Sequence, residues 1–67
     1  MVVRYCDLNR GDFFKLYCPK DGEENFIYMK LSDNGYGGNY VCLNTGKDYF
    51  AVGDKLIISV NKEDVLK

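Results

Sequence analysis

The sequence predicts a small all-β domain, and three observations support that prediction. Turn-forming residues recur about ten residues apart, as in small barrels and sandwiches; they stand at 9–12, 19–22, 33–35, 44–47 and 53–54. Between the turns, apolar side chains alternate with a period of two rather than 3.6. The chain has 67 residues, of which 46% are hydrophobic. A chain of this size forms one domain, residues 1–67, with one core.

The elements follow from this alternation in chain order. Residues 2–5 are predicted as an edge strand, and further strands are predicted at 13–18, 26–32, 39–44, 48–52 and 55–60. Asn61 precedes two acidic residues and predicts the N-cap of a short C-terminal helical turn. Five or six antiparallel strands joined by short hairpins form a meander. Such a short meander hides its apolar face by curling into a partly open, SH3-like barrel.

The same alternation predicts which side chains face the core. In the strand 13–18, Phe14, Leu16 and Cys18 are expected to face inward. The expected inward set continues along the later strands with Ile27, Met29, Leu31, Val41, Leu43, Phe50, Val52, Leu56, Ile58 and Val60.

The opposite face of two neighbouring strands carries aromatic residues beside lysines. The residues on it are Phe13, Lys15, Tyr17, Phe26, Tyr28 and Lys30, extended by Tyr40 and Tyr49. Aromatic anchors of this kind favour protein binding. The alternative partner is single-stranded nucleic acid, whose bases stack on aromatic rings while lysines meet phosphates. Acidic residues near one end of this hairpin would repel phosphate, so a protein is the favoured partner. In a structural interpretation, the rolled barrel or a second copy covers the face and the aromatic pairs only stabilise the sheet.

The segment 33–39 contains three glycines and is predicted to be a mobile hairpin loop with Tyr36 at its tip. An exposed tyrosine on a flexible loop is a candidate partner contact, although a plain connecting loop is the favoured interpretation. Phosphate binding is disfavoured, because no Lys-Ser/Thr pair and no helix follow the glycines.

Composition argues against catalysis and against a metal site. The chain has no histidine, and therefore no ordinary general base near neutral pH. Its three cysteines form no CxxC pair, so zinc has few ligands. We expect no enzyme activity, no catalytic or metal-ligating residue and no cofactor. The cysteines are expected to be small buried or half-buried thiols; the alternative is one Cys6–Cys18 disulfide with Cys42 free.

Charge and hydropathy constrain the partners and the compartment. The net charge of −1 does not favour bulk attraction to nucleic acid. No apolar run approaches the roughly 20 residues that span a bilayer, and the first residues do not resemble a signal peptide. We therefore expect a cytoplasmic protein with no membrane partner.

The run Asp7-Leu8-Asn9-Arg10-Gly11-Asp12-Phe13-Phe14 resembles the D-L-x-x-G-D-x-F opening of small bacteriophage-encoded β-barrel proteins. A Tyr-x-Lys strand at 28–31, a glycine-rich turn and the hairpin turn 44–46 are similar to the segments that follow in those proteins; the 21–25 insertion departs from them. The resemblance implies a phage origin and no catalytic residue. It implies a module that binds and inhibits or modulates a bacterial host protein, including a defence protein. A small structural subunit that homo-oligomerises is a further alternative.

Overall fold

A computed structural model describes residues 1–33 and 36–65 of the chain. Within them lie six strands, all paired antiparallel in one sheet. The strands are β1 (Val2–Arg4), β2 (Phe13–Leu16), β3 (Tyr28–Lys30), β4 (Gly37–Cys42), β5 (Asp48–Val52) and β6 (Leu56–Val60). A 3-10 turn, Tyr5–Asp7, follows β1, and a short helix, α1 (Lys62–Val65), follows β6. The prediction of an all-β small open barrel is confirmed.

The strand order in the sheet is β1-β6-β2-β3-β4-β5. The predicted meander is found from β2 to β5, whose consecutive strands are neighbours. β6 does not pair with β5; it pairs with β2 on one side and with β1 on the other. The segment 53–55 is therefore a corner that turns the chain around the end of the barrel, rather than a hairpin between paired strands.

The 3-10 turn after β1 closes one end of the barrel. The Tyr5 N–H donates to the Lys55 carbonyl at 2.8 Å, and the Cys6 N–H donates to the Gly53 carbonyl at 2.8 Å. Gly53 directly follows the edge strand β5. These bonds therefore hold Tyr5 and Cys6 against the corner 53–55. The alternation of residues 2–5 did not predict this turn, which begins at Tyr5.

A cluster of aromatic rings fills the inside of the barrel. Tyr5, Phe14, Tyr28 and Tyr40 contact one another with ring centroids 5.3 to 6.2 Å apart. Edge-to-face and offset contacts at such separations are the preferred arrangements of aromatic pairs. The smaller members of the buried cluster are Leu8, Cys42, Ala51 and Ile57.

Lys30 is fully buried among these rings. Its ammonium Nζ donates to the Leu8 carbonyl at 2.7 Å and to the Tyr5 carbonyl at 3.1 Å. The Asp33 carboxylate lies 3.4 Å from the same nitrogen, and the Tyr5 ring centroid lies 4.5 Å from it. A buried charge is tolerated only when its donors are satisfied. Lys30 meets that condition by binding the carbonyl of the first residue of the 3-10 turn and the carbonyl of the residue that follows the turn.

The inward and outward faces are reversed relative to the sequence prediction in four of the six strands. Phe14 faces inward as expected, and Leu16 packs against the core. Antiparallel neighbours directly opposite one another share a face. Phe14 lies opposite Tyr28, and Tyr28 lies opposite Cys42, so β3 and β4 turn the other set of side chains inward. The following residues, predicted as core, lie on the outer face: Met29, Val41, Phe50, Val52, Leu56, Ile58 and Val60.

One glycine of the predicted loop is required by strand packing. Gly38 is buried in β4, and a Cβ on it would overlap the Ser32 carbonyl. Gly37 and Gly38 therefore begin a strand rather than a mobile loop. Of the segment predicted as that loop, Asn34 and Gly35 lie outside the described residues.

Replacing Lys30 with methionine should destabilise the protein. The substitution keeps side-chain length but leaves the Leu8 carbonyl without its donor, which costs roughly 1–3 kcal/mol for an unsatisfied buried group. The Tyr5 carbonyl loses the Lys30 ammonium and keeps only the Leu8 N–H. We expect the free energy of unfolding in urea to fall by about 2 kcal/mol or more. The matched variant Lys47→Met, at an exposed turn residue, should change it by less than about 0.5 kcal/mol. Equal stability of the two variants would contradict this role of Lys30.

Candidate functional site

The predicted aromatic and lysine stripe does not form one exposed face. Tyr28, Lys30 and Tyr40 are buried in the core, with exposed fractions of 3%, 0% and 6%. Their placement on an outer surface was wrong. Tyr28 lies opposite the inward-facing Phe14, so the side chains of Tyr28 and Lys30 point inward, and Tyr40, opposite Lys30, points inward with them. These three side chains contribute to the core and are not available to a partner.

The other five predicted site residues are dispersed. Phe13 and Lys15 lie on the outer face of β2, opposite Val60 and Ile58. Phe13 is 7% exposed although it lies outside the core cluster. Tyr17 is exposed beyond the end of β2, and Phe26 packs partly buried against the core. Tyr36 is 86% exposed, as the sequence predicted; its role as a partner contact stays a prediction.

The tyrosine hydroxyls at the core experience a strongly desolvated environment. Burial, reinforced by the Asp33 charge, raises the pKa of Tyr5 to about 12. Burial, with Cys42 and Glu23 nearby, raises the pKa of Tyr28 to about 12. The Tyr5 hydroxyl donates to the Asn39 carbonyl at 2.9 Å and lies 3.2 Å from the Ser32 carbonyl. It therefore joins the end of β1 to β4 across the interior.

A cleft of about 270 Å³ opens beside the aromatic cluster. It is slightly smaller than the roughly 300 Å³ at which small-molecule sites usually begin. Tyrosines, two lysines and one glutamate meet there, so the lining does not favour ligands of one charge. The lining residues are Leu16, Cys18, Lys20, Glu23, Tyr28, Tyr40, Tyr49 and Lys55.

The cysteines divide into two exposed thiols and one buried thiol. Cys6 and Cys18 are exposed and unpaired, whereas Cys42 is buried; all three had been expected to be buried or half-buried. Burial alone would raise the pKa of Cys42, but hydrogen bonds from Thr45, Asn44 and Tyr28 outweigh it and lower the pKa below its ordinary value. Among the described residues, no group of three or more His, Cys, Asp or Glu side chains could hold a metal ion.

The outer face of the sheet carries a continuous apolar surface that the sequence assigned to the core. One row crosses four adjacent strands in register: Val60, Phe13, Met29 and Val41. A second row joins Val2, Ile58 and Lys15, and Leu56 lies at its margin. Val2 and Leu56 are each 48% exposed, and most of the others are half-buried. We call these eight residues the outer patch.

The edge strand β5 presents a second exposed surface. Within residues 1–33 and 36–65, no strand pairs with its outer side. The Cys42 N–H donates to the Lys47 carbonyl at 2.9 Å, and the Gly53 N–H donates to the Tyr36 carbonyl at 2.8 Å. Backbone N–H and carbonyl groups alternate in direction along an antiparallel strand. The backbone groups of the odd-numbered residues from 47 to 53 therefore point toward β4. The N–H groups of Asp48, Phe50 and Val52 consequently face outward. We call this side of β5 the free edge.

The free edge could not be recognised from the sequence. Residues 49–52 are four hydrophobic residues in succession, and alternation assigned Phe50 and Val52 to the core. In the structure, Ala51 is buried, whereas Phe50 and Val52 are 58% and 53% exposed.

None of the helices in the described parts of the chain is long and apolar enough to cross a membrane. Comparison with protein-family models, curated proteins and solved structures finds no match for the chain. The resemblance to phage-encoded proteins therefore stays a prediction from sequence motifs.

Tyrosine ionisation should destabilise the fold at high pH. Tyr5 and Tyr28 have a folded-state pKa of about 12, above the ordinary value of 10.0. The unfolded chain loses these protons first, so their contribution to stability is complete below pH 10 and is lost as pH rises toward 12. Urea unfolding at several pH values, alongside tyrosinate absorbance, measures this. A folded protein whose tyrosines have all ionised well below pH 12 would contradict it.

Two of the three thiols should react in the folded protein. Cys6 and Cys18 are exposed and should be modified rapidly by a disulfide reagent that releases a chromophore, whereas Cys42 should react only on unfolding. The variant Cys42→Ala should keep the full rapid phase, and Cys18→Ala should lose half of it. Absence of rapid reaction until a reductant is added would instead indicate the Cys6–Cys18 disulfide.

Proposed function

We propose that the chain is a non-enzymatic protein-binding module that docks a partner protein on the outer patch. The observation that carries this proposal is the exposure of Val2 and Leu56 within a contiguous apolar surface of the sheet. Exposed apolar side chains are ordinary when they are scattered singly, whereas contiguous patches mark interaction sites. A sheet face with two rows in register offers a partner a continuous surface.

Lys15 indicates the chemistry of the partner. It stands inside the outer patch, opposite Ile58 and two residues from Phe13. The ion pairs among the described residues are Arg4 with Asp7 and Lys30 with Asp33, so neither involves Lys15. A matching surface therefore presents apolar side chains around an acidic group that meets the Lys15 ammonium.

The resemblance to phage-encoded proteins extends the proposal to the identity of the partner. A module of that kind binds a bacterial host protein in the host cytoplasm and inhibits or modulates it. This extension is supported by the motifs of segments 7–14, 28–31 and 44–46 alone.

The nucleic-acid alternative loses the arrangement on which it depended. Base stacking beside phosphate contacts required Tyr28 and Lys30 on an open face next to Phe13 and Lys15. Tyr28 and Lys30 are instead in the core, so Lys15 stands without the aromatic neighbours of β3. We propose no nucleic-acid function.

Two substitutions in the outer patch should abolish partner binding. We expect wild-type protein to capture a specific protein from bacterial lysate. That protein, once identified and purified, should bind Lys15→Glu and Leu56→Asp at least about tenfold more weakly, as expected for interface anchors. Isothermal titration of the purified partner measures the affinities.

Matched controls separate the patch from general effects of charge. Lys62→Glu makes the same charge reversal on the exposed helix α1, and Leu43→Asp replaces a leucine of nearly equal exposure, 46% against 48%. Both controls should bind like wild type. Equal affinity of the purified partner for all four variants, or no specific capture by wild-type protein, would overturn the proposal.

A further inference from the structure

We propose that a second copy of this chain pairs antiparallel with the free edge of β5, with residue 50 of both copies on a twofold axis. The resulting dimer joins two sheets into one. This inference uses the free edge and not the outer patch, so it stands independently of the proposed function.

The free edge has unused backbone hydrogen-bonding capacity. The outward-facing N–H groups belong to Asp48, Phe50 and Val52, and the Val52 carbonyl already accepts from the Lys55 N–H at 3.2 Å. An exposed edge strand with free N–H and C=O groups is a template for another strand. The side chains of Phe50 and Val52 point to the outer face and are mostly exposed. A second strand would therefore gain both main-chain bonds and apolar contacts.

The free edge lacks the usual protection against pairing. Proteins shield edges with proline, inward-pointing charge, bulges or very short strands. β5 has five residues, with neither proline nor lysine among them. The opposite edge strand, β1, has three residues and ends at Arg4, which lies 3.6 Å from Asp7. β5 is thus the edge that remains open to another chain.

The symmetry of β5 favours a second copy as the occupant. Phe50 is the central residue of the strand, and its N–H and carbonyl both face outward. Antiparallel pairing about this residue forms reciprocal N–H to carbonyl bonds between the two copies of Phe50. It also places Asp48 of each copy opposite Val52 of the other. Pairing with β1 of another molecule would instead be heterologous and would continue into open filaments.

The charges at the ends of the strand agree with this register. Lys47 precedes β5, and Asp54 follows it by two residues. About the twofold axis, Lys47 of one copy lies opposite Gly53 of the other, next to its Asp54. Residues of opposite charge are then near neighbours along the chain at both ends, and no like charges lie directly opposite one another. The Phe50 rings meet on the outer face as a cross-strand aromatic pair.

Sedimentation equilibrium tests the dimer. A short edge contact belongs to the small, weak interfaces, so wild-type protein should associate reversibly as its concentration rises into the high micromolar range. Phe50→Lys and Phe50→Glu should each stay monomeric, because like charges then meet on the axis. An equimolar mixture of the two variants should recover the dimer.

The control is Tyr17→Lys beyond the end of β2, where the side chain is similarly exposed; it should dimerise like wild type. Urea unfolding checks that each variant is folded. In wild-type protein, amide exchange at Phe50 should slow with rising concentration, while exchange at Ala51, which faces β4, should not change. Wild-type protein that stays monomeric to millimolar concentration would overturn the inference. A mixture that stays monomeric, or a dimer that persists in Phe50→Lys, would overturn the pairing about residue 50.

Discussion

The buried ammonium of Lys30 is the interaction on which the open barrel depends. It binds the carbonyls of Tyr5, the first residue of the 3-10 turn, and of Leu8, which follows the turn. It thereby fixes the chain after β1 against the core. The Tyr5 ring and hydroxyl then reach across to β4. Without such a donor, the Leu8 carbonyl would be left unsatisfied beside an aromatic core, where that is costly, and the Tyr5 carbonyl would keep only the Leu8 N–H. One charged side chain thus joins the N-terminal segment to the middle of the sheet.

The inward position of Lys30 also determines the character of both faces. With Tyr28 and Lys30 inside, register places Tyr40 and Cys42 inside and Val41 and Val52 outside. Leu56, Ile58 and Val60 of β6 likewise lie outside. The core is consequently rich in hydroxyl-bearing rings, and the surface is rich in valine, leucine and isoleucine. This inversion produces the outer patch and the exposed side chains of the free edge. The apolar surface available to partners is therefore a consequence of the inward position of Lys30 and the tyrosines.

Prediction succeeded for the strands because turn chemistry and period two are local properties. Gly46, with a φ of +78°, ends the turn before β5, and the sequence identified that turn. Prediction failed for the faces because strands such as 48–52 carry apolar residues on both sides. A one-residue change of register exchanges every side chain between core and solvent. Alternation along one strand does not distinguish the two faces when both carry apolar residues. It therefore assigned Lys30 to the outer face, where a charged side chain is usually found.

The sequence by itself determined the all-β class, the six strands, the short C-terminal helix and the exposure of Tyr36. Each of these depends on residues adjacent along the chain. Only the tertiary structure decided the pairing of β6 with β1 and β2, the burial of Lys30 and the outward position of Phe50. Those features depend on carbonyls and rings brought together from distant segments, as when Lys30 meets Tyr5. These contacts form only when the distant segments pack together in the folded barrel.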